Sequence, residues 1–122
     1  MLDLLQGYRR VGGVVNLPAA GAPNAVAIMT LSTFASMVGV KSFKIRRLKV
    51  RNINAGNTWL HIGTGVGAGV DAMPALYSIA NTTDDYEEGD LPGVNFTATI
   101  VAWPEAVGAG SFDVQVEVEE QG

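Results

Sequence analysis

Two stretches of the chain alternate strictly between hydrophobic and polar side chains, which is the pattern of a β-strand with one buried face. In residues 112–119 the apolar positions are Phe112, Val114, Val116 and Val118. In residues 94–102 they are Val94, Phe96, Ala98, Ile100 and Ala102. We predict one strand for each stretch, with the named side chains facing a core.

A third segment combines alternation with a slip of its phase. Phe43 and Ile45 set one register, and Leu48 and Val50 set the other, with Arg46-Arg47 between them. A β-bulge, in which two residues oppose one, produces such a slip. We therefore predict a bulge that keeps all four apolar side chains inward and leaves an outward ridge of lysine and arginine.

Further strands follow from shorter patterns. Thr58–Thr64 places Leu60 and Ile62 opposite Trp59 and His61, and residues 54–57 are typical of a turn, so we predict a hairpin of residues 43–53 and 58–64. We also predict a strand over residues 11–17 that ends at Pro18. Residues 25–38 are expected to form a strand and then a short helix or turn, and residues 74–80 a further strand.

Short strands separated by Gly, Pro and Asn turns are typical of a sandwich or jelly roll. Strand–helix alternation is absent, which argues against a parallel α/β sheet. We predict an all-β, jelly-roll-like β-sandwich with an N-terminal arm. A length of 122 residues fits a single domain, with the arm in residues 1–10 and the sandwich in residues 11–122.

Composition narrows the class of protein further. The chain has no cysteine, so disulfides and thiolate metal sites are excluded. Charged residues make up 16%, against about 25% in an average soluble domain. Residues 11–40 carry no charge, but prolines and glycines interrupt them before about 20 apolar residues accumulate. We expect no membrane span.

Charge is divided along the chain. All eight basic residues lie at or before Arg51, and eleven of the twelve acidic residues lie at or after Asp71. Three interpretations remain open: pairing of basic and acidic strands within one sheet, contact between the basic side of one subunit and the acidic side of the next, and binding of nucleic acid. The net charge of −4 argues against nucleic acid as a partner.

The residues that could carry chemistry are few. His61 is the one histidine, and no Gly-x-Ser-x-Gly elbow accompanies it, so we predict no catalytic site. The glycines at 63, 65, 67 and 69 do not form a phosphate-binding motif and indicate close backbone packing. The acidic residues 84–90 lack the spacing of an EF-hand loop. We predict no metal site and no cofactor. The acidic segment is expected to be either a solvated loop or a contact to the basic ridge of a neighbouring subunit.

Residues 48–65 and 91–99, followed by the terminal alternating strand, resemble small β-rich virion proteins of tailed phages. The resemblance implies an oligomeric capsid decoration or cement protein, often trimeric, that clamps major capsid subunits and resides in the virion after assembly in the host cytoplasm. A tail or head–tail component is a related alternative. From the residues themselves, a lectin-like carbohydrate-binding jelly roll stays open, because exposed Trp59 or Trp103 could line a groove.

The candidate residues for subunit contact are the charged residues of the basic and acidic segments and the two tryptophans. They are Lys44, Arg46, Arg47, Lys49, Arg51, Asp84, Asp85, Glu87, Glu88, Asp90, Glu117, Glu119, Trp59 and Trp103.

Overall fold

The protein is built from two antiparallel β-sheets that pack face to face. The computed structural model describes residues 6–30, 42–105 and 111–121. In these ranges the strands are β1 (Gln6–Val11), β2 (Val15–Leu17), β3 (Val26–Met29), β4 (Ser42–Asn52), β5 (Thr58–Thr64), β6 (Val70–Asp71), β7 (Leu76–Ser78), β8 (Thr83–Glu87), β9 (Asn95–Phe96), β10 (Ile100–Pro104) and β11 (Phe112–Gln121). The described residues also include two single-turn 3₁₀ helices, at Ala22–Asn24 and Glu88–Asp90.

The strand order gives the topology. Sheet A has the order β1-β11-β4-β8, with β2 also beside β11 and β9 also beside β4. Sheet B has the order β3-β10-β5-β6, with β7 also beside β5. The chain passes from one sheet to the other at β2–β3, β3–β4, β4–β5, β7–β8, β9–β10 and β10–β11. Strands that are consecutive in sequence but lie on opposite sheets are typical of a jelly roll, so the predicted all-β, jelly-roll-like sandwich is confirmed.

The core lies between the sheets and is supplied by alternate residues of the strands. Sheet A contributes the apolar face of β11 and of β4, and sheet B that of β5 and β10. The fully buried side chains include Phe43, Leu48, Val50, Leu60, Ile62, Ile100, Phe112, Val114, Val116 and Val118. Each such side chain stabilises the fold by about 1.5–3 kcal/mol relative to exposure.

The bulge in β4 is confirmed. Glu117 of β11 is opposite Arg47, but the next residue, Val118, is opposite Ile45, so Arg46 is the extra residue. The bulge restores the inward phase after Arg46, and Phe43, Ile45, Leu48 and Val50 are all buried. The apolar phase slip in the sequence therefore located the bulge correctly.

The predicted hairpin of residues 43–53 and 58–64 is wrong. Both strands exist, but β4 belongs to sheet A and β5 to sheet B. The link turns a corner around Asn52, whose Oδ1 accepts hydrogen bonds from the Asn54 backbone N–H at 2.8 Å and from Asn54 Nδ2 at 3.0 Å. The backbone of Ile53 meanwhile donates to the Ser111 carbonyl at 2.9 Å. These bonds satisfy several polar groups of the turn while the chain crosses the end of the core, and they leave the buried Asn54 Oδ1 without a hydrogen-bond partner among the described residues.

The single strand predicted over residues 94–102 is also wrong. The structure divides it into β9, which pairs with β4 in sheet A, and β10, which pairs with β5 and β3 in sheet B. Ala98 lies at the crossing and is exposed. The alternation survives the crossing because Phe96 and Ile100 face the same core from opposite sheets.

The N-terminal prediction needs a similar correction. Residues 11–17 do not form one strand, because Gly12–Val14 separate β1 from β2, although β2 ends at Leu17 before Pro18 as predicted. The Gly12 N–H donates to the Val116 carbonyl at 2.9 Å in this interval. The predicted boundary between arm and sandwich, after residue 10, falls inside β1. Residues 1–5 of the arm lie outside the described residues.

The remaining short strands follow the sequence pattern. β5 has the bounds predicted for it, β7 lies inside residues 74–80, and β3 lies early in residues 25–38. The helix or turn expected later in that segment lies mostly outside the described residues, which resume at Ser42.

Candidate interaction surfaces

Every lysine and arginine that the structure describes lies on β1 or β4 of sheet A. β4 runs between two acidic strands, β8 on one side and β11 on the other. The candidate charges are thereby brought onto one sheet: Lys44, Arg46, Arg47, Lys49 and Arg51 on β4, Asp84, Asp85 and Glu87 on β8, Glu88 and Asp90 in the following 3₁₀ turn, and Glu117 and Glu119 on β11.

Arg46 is held by two acidic side chains. Its Nε and Nη2 donate to the Glu119 carboxylate at 2.6–2.9 Å, and its Nη1 donates to Glu88. The side chains of Arg46 and Glu119 are only 15% and 14% exposed. This fork-to-carboxylate geometry is the strong form of an arginine ion pair, and it uses both groups inside the chain.

Arg47 forms the second bidentate pair, with Asp85 of β8. Its Nε and Nη2 donate to the two carboxylate oxygens at 2.9 and 2.6 Å. The hydrogen bond from Arg47, followed by the positive charges of Arg47 and Lys49, holds the pKa of Asp85 below its usual value. The same hydrogen bond raises the pKa of Arg47. Both residues are therefore ionised across the physiological range.

Arg9 and Arg10 of β1 form further ion pairs with acidic residues of β11. Arg9 Nη1 donates to Glu117 at 2.9 Å on the outer face. Arg10 Nη1 donates to the buried Glu120 at 2.8 Å, and its Nη2 donates to the Thr30 carbonyl beyond β3 at 2.7 Å. Of the three interpretations of the charge division, pairing of strands within one sheet accounts for these contacts.

Lys44, Lys49 and Arg51 are different, because none of them forms an ion pair within the parts of the chain that are described. The acids opposite Lys49 and Arg51 are engaged elsewhere: Asp85 by Arg47, and Asp113 by Asn16 Nδ2 at 3.0 Å.

Lys49 and Arg51 lie in a shallow groove on the outer face of sheet A. One part, about 330 Å³, is lined by Val14, Lys49, Arg51, Thr83, Asp113 and Gln115. A second part, about 220 Å³, shares Lys49 and Gln115 and adds Val11, Arg47 and Glu117. We call the surface formed by Val11, Val14, Lys49, Arg51, Asp113, Gln115 and Glu117 the Lys49 groove. Val11 and Val14 are 60% and 65% exposed, so the groove has an apolar rim beside its cations.

The outer face of sheet B carries an apolar patch. Trp59 on β5 is directly opposite Tyr77 on β7, and the two rings contact edge to face with centroids 4.9 Å apart and planes at 63°. They are 44% and 47% exposed, and Ile79, two residues after Tyr77, is 53% exposed. Nothing in the described parts of the chain covers these three side chains, which we call the Trp59 patch.

One acidic residue lies beside the Trp59 patch, and a second lies further along the same face, opposite Gly63. Glu105 is exposed and its backbone N–H donates to the Trp59 carbonyl at 2.8 Å, which places it opposite Trp59. Asp71 on β6 receives His61 Nδ1 at 2.7 Å, and half of its side chain stays exposed. The sequence did not single out Tyr77, Ile79, Asp71 or Glu105, although alternation over residues 74–80 could have placed Tyr77 on the outer face.

Trp103 occupies the same face but is a core residue of its own chain, 4% exposed. It stacks on His61 with ring centroids 5.2 Å apart and planes at 6°. The turns around Ala22 and Gly69 cover it, since the Gly69 N–H donates to the Ala22 carbonyl at 2.9 Å. A Cβ on Gly69 would lie 2.6 Å from the Trp103 ring. Trp103 therefore offers almost no surface for a subunit contact.

His61 is a strand histidine on the Trp59 face, as predicted. Its hydrogen-bond partner in the described structure is Asp71, and no hydroxyl lies within hydrogen-bond distance of its ring there. In the acidic segment, Asp90 Oδ2 accepts the Glu87 N–H at 3.0 Å to cap a 3₁₀ turn. Among the described residues no group of three or more potential ligands gathers at a metal-binding distance.

The described residues also include no helix long and apolar enough to cross a membrane.

No family model and no curated protein matches the chain. Among solved structures, the chain is similar to the Tobacco streak virus coat protein dimer, with a TM-score of 0.43 and 10% identity over 94% of this chain and 85% of that chain. A second structure of the same coat protein, in a C2 crystal form, gives a TM-score of 0.41 and 12% identity over 100% of this chain and 91% of that one. Both are coat proteins of a plant virus, and neither is from a tailed phage.

Proposed function

We propose that this chain is a non-enzymatic viral structural protein, an oligomeric decoration or cement protein that stabilises a capsid through subunit contacts. Its partners would be copies of itself, in a ring of three, and the major capsid protein, and its location the virion. The observation that carries the proposal is the Trp59 patch, an exposed aromatic pair on a rigid sheet with an apolar neighbour.

The Trp59 patch suits a protein contact for energetic reasons. Tryptophan and tyrosine dominate the binding energy of many interfaces, because each buries a large area with little loss of side-chain freedom. Apolar surface contributes about 25 cal/mol for each Å² removed from water. The paired charges of sheet A contribute less to such a contact, because Arg46 and Arg47 already have partners within the chain.

The jelly-roll topology is compatible with the proposal but does not carry it, because jelly rolls occur in capsid proteins, lectins and cupins alike. The residues narrow the choice. Metal chemistry of the cupin kind needs several histidines, and the sequence has one.

The test is the mass of the purified protein in solution by light scattering, together with co-sedimentation with shells of the major capsid protein from the same genome. We expect a defined oligomer, or a monomer that binds to shells. Trp59→Ala should abolish the association, and Val66→Ala, which truncates an even more exposed apolar side chain in the β5–β6 loop, should not. A monomer that does not bind to the shells would contradict the proposal.

A second candidate is a lectin-like glycan-binding module, which the open position of Trp59 favours. Sugar rings stack on exposed aromatic faces, and Asp71 and Glu105 could accept hydrogen bonds from hydroxyl groups. The 63° angle between Trp59 and Tyr77 provides one such face rather than a flat platform. Glycan-array binding by the wild type that Trp59→Ala removes, without self-association, would select this function.

A further inference from the structure

The two outer faces of the sandwich are unlike in charge as well as in shape. Sheet B carries none of the described lysines and arginines; Glu105 lies opposite Trp59, and Asp71 lies further along the same face, opposite Gly63. On sheet A, Lys49 and Arg51 have no ion-pair partner among the described residues and line the groove together with Asp113 and Glu117. One face thus carries an exposed aromatic patch with an acidic neighbour, and the other a groove with two cations outside any ion pair and an apolar rim.

We propose that the Trp59 patch of one copy docks into the Lys49 groove of a second copy, a head-to-tail contact between opposite faces of the sandwich. This inference rests on the proposed function, because it names the mode by which the copies associate. Trp59 would lie between Val11 and Val14 of the neighbour. Glu105, which lies opposite Trp59, would then face Arg51.

The spacing of the two cations suits one tryptophan side chain. Lys49 and Arg51 are two residues apart on one strand and therefore about 7 Å apart on the same face. A tryptophan between them would meet cations at its ring face, a contact that the ring quadrupole favours.

A symmetric contact is less favourable for the same electrostatic reason. Two Trp59 patches face to face would bring Glu105 of one copy toward Glu105 of the other. Like charges brought together across an interface cost several kcal/mol, whereas the head-to-tail contact joins opposite charges. Contacts of this kind close into a ring or continue as a filament, depending on the rotation between copies.

The experiment mixes two variants that each lack one side of the contact. Trp59→Ala removes the patch and keeps the groove, and Lys49→Glu combined with Arg51→Glu removes the groove and keeps the patch. Lys44→Glu is the matched control, because Lys44 is another β4 cation without an ion pair to any described residue but lies outside the groove. Urea unfolding of each variant establishes that it is folded before masses are compared.

We expect the wild type and Lys44→Glu to form oligomers at about 0.05 M salt and to dissociate partly at about 0.5 M, where exposed charges are screened. Each of the other two variants alone should be a monomer. Their equimolar mixture should contain a heterodimer and nothing larger, because only one intact patch and one intact groove can meet.

Two results would overturn the inference. A groove variant that still associates like the wild type shows that the contact does not use Lys49 and Arg51. A mixture that stays monomeric shows that patch and groove are not partners. If the wild type associates in either case, the proposed structural role stands and only the mode falls. A wild type that is monomeric but binds to shells likewise overturns the head-to-tail contact and leaves decoration intact.

Discussion

Arg46 and Glu119 form the most sheltered ion pair among the outward-facing charges of sheet A, and the bulge creates it. As the extra residue of β4, Arg46 is displaced from the ladder, and its guanidinium can reach Glu119 of β11 with Nε and Nη2 at 2.6–2.9 Å. Arg46 therefore has two roles. As the extra residue of the bulge it keeps the apolar side chains of β4 facing the core, and its side chain joins β4 to β11.

The first prediction concerns the side chain of this residue. Arg46→Ala keeps the backbone of the bulge but leaves Glu119, only 14% exposed, without its partner. A hydrogen bond to a charged group contributes about 1.5–3 kcal/mol to stability. We therefore expect Arg46→Ala to lower the free energy of unfolding by about 1–3 kcal/mol. Urea denaturation measures it. Arg51→Ala, on the same strand and without an ion pair to any described residue, should change stability by less than about 0.5 kcal/mol. Equal losses in the two variants would show that the Arg46–Glu119 pair contributes no more than an unpaired arginine.

The second prediction concerns the backbone of the bulge. Deletion of Arg46 removes the extra residue, so either Phe43 and Ile45 or Leu48 and Val50 must turn outward. Exposure of two such side chains costs about 3–6 kcal/mol at about 1.5–3 kcal/mol each. This is a large part of the stability of a domain this size. The deletion should therefore shift the urea midpoint well beyond the shift of Arg46→Ala, and two equal shifts would contradict a role of the bulge in setting the register.

This bulge also shows how far the sequence could be interpreted. Alternation reports which residues of a strand share a buried face, so the phase slip between Ile45 and Leu48 predicted the bulge, and β5 and β11 were found with their inward residues. Alternation does not report which sheet a strand joins, because both sheets bury their faces in the same core. For that reason the hairpin of β4 and β5 and the continuous strand over residues 94–102 were wrong.

The candidate surfaces, too, could be predicted only where a local sequence pattern determines them. The pairing of basic with acidic strands in sheet A could be predicted as one of three alternatives, because charged and apolar residues alternate within these strands. Trp59 and Trp103 could not be separated, since both lie on the outer face of sheet B. The turns at Ala22 and Gly69 bury one of them, and the pairing of β5 with β7 leaves the other open beside Tyr77. Such differences arise from tertiary contacts that a local pattern does not contain.

The third prediction tests the close approach of β5 and β6. A Cβ on Gly63 would lie 1.8 Å from the Val70 carbonyl oxygen, which is backbone and cannot rotate away. Gly63→Ala should therefore separate β6 from β5 and destabilise the protein by about 1–3 kcal/mol, as overpacking does. Gly89→Ala is the control, because a Cβ there meets nothing within 4 Å. Thermal unfolding of both variants measures the difference, and similar midpoints would contradict the close approach.

The fourth prediction is a pH dependence that arises from Arg47 and Asp85. The hydrogen bond from Arg47 and its charge hold the pKa of Asp85 below its usual value when the protein is folded, whereas in the unfolded chain it returns to about 3.9. The unfolded state then binds the proton more readily, so this contribution to stability is complete above about pH 5 and declines as the pH falls through the lowered folded pKa. Arg47→Gln should raise the pKa of Asp85 toward the ordinary value and flatten this part of the acid dependence. Carboxyl-carbon NMR titration of Asp85 in the two proteins measures the shift directly, with Arg51→Gln as a control that leaves the pair intact. A pKa of Asp85 that is the same in wild type and Arg47→Gln would show that the bidentate pair does not persist in solution.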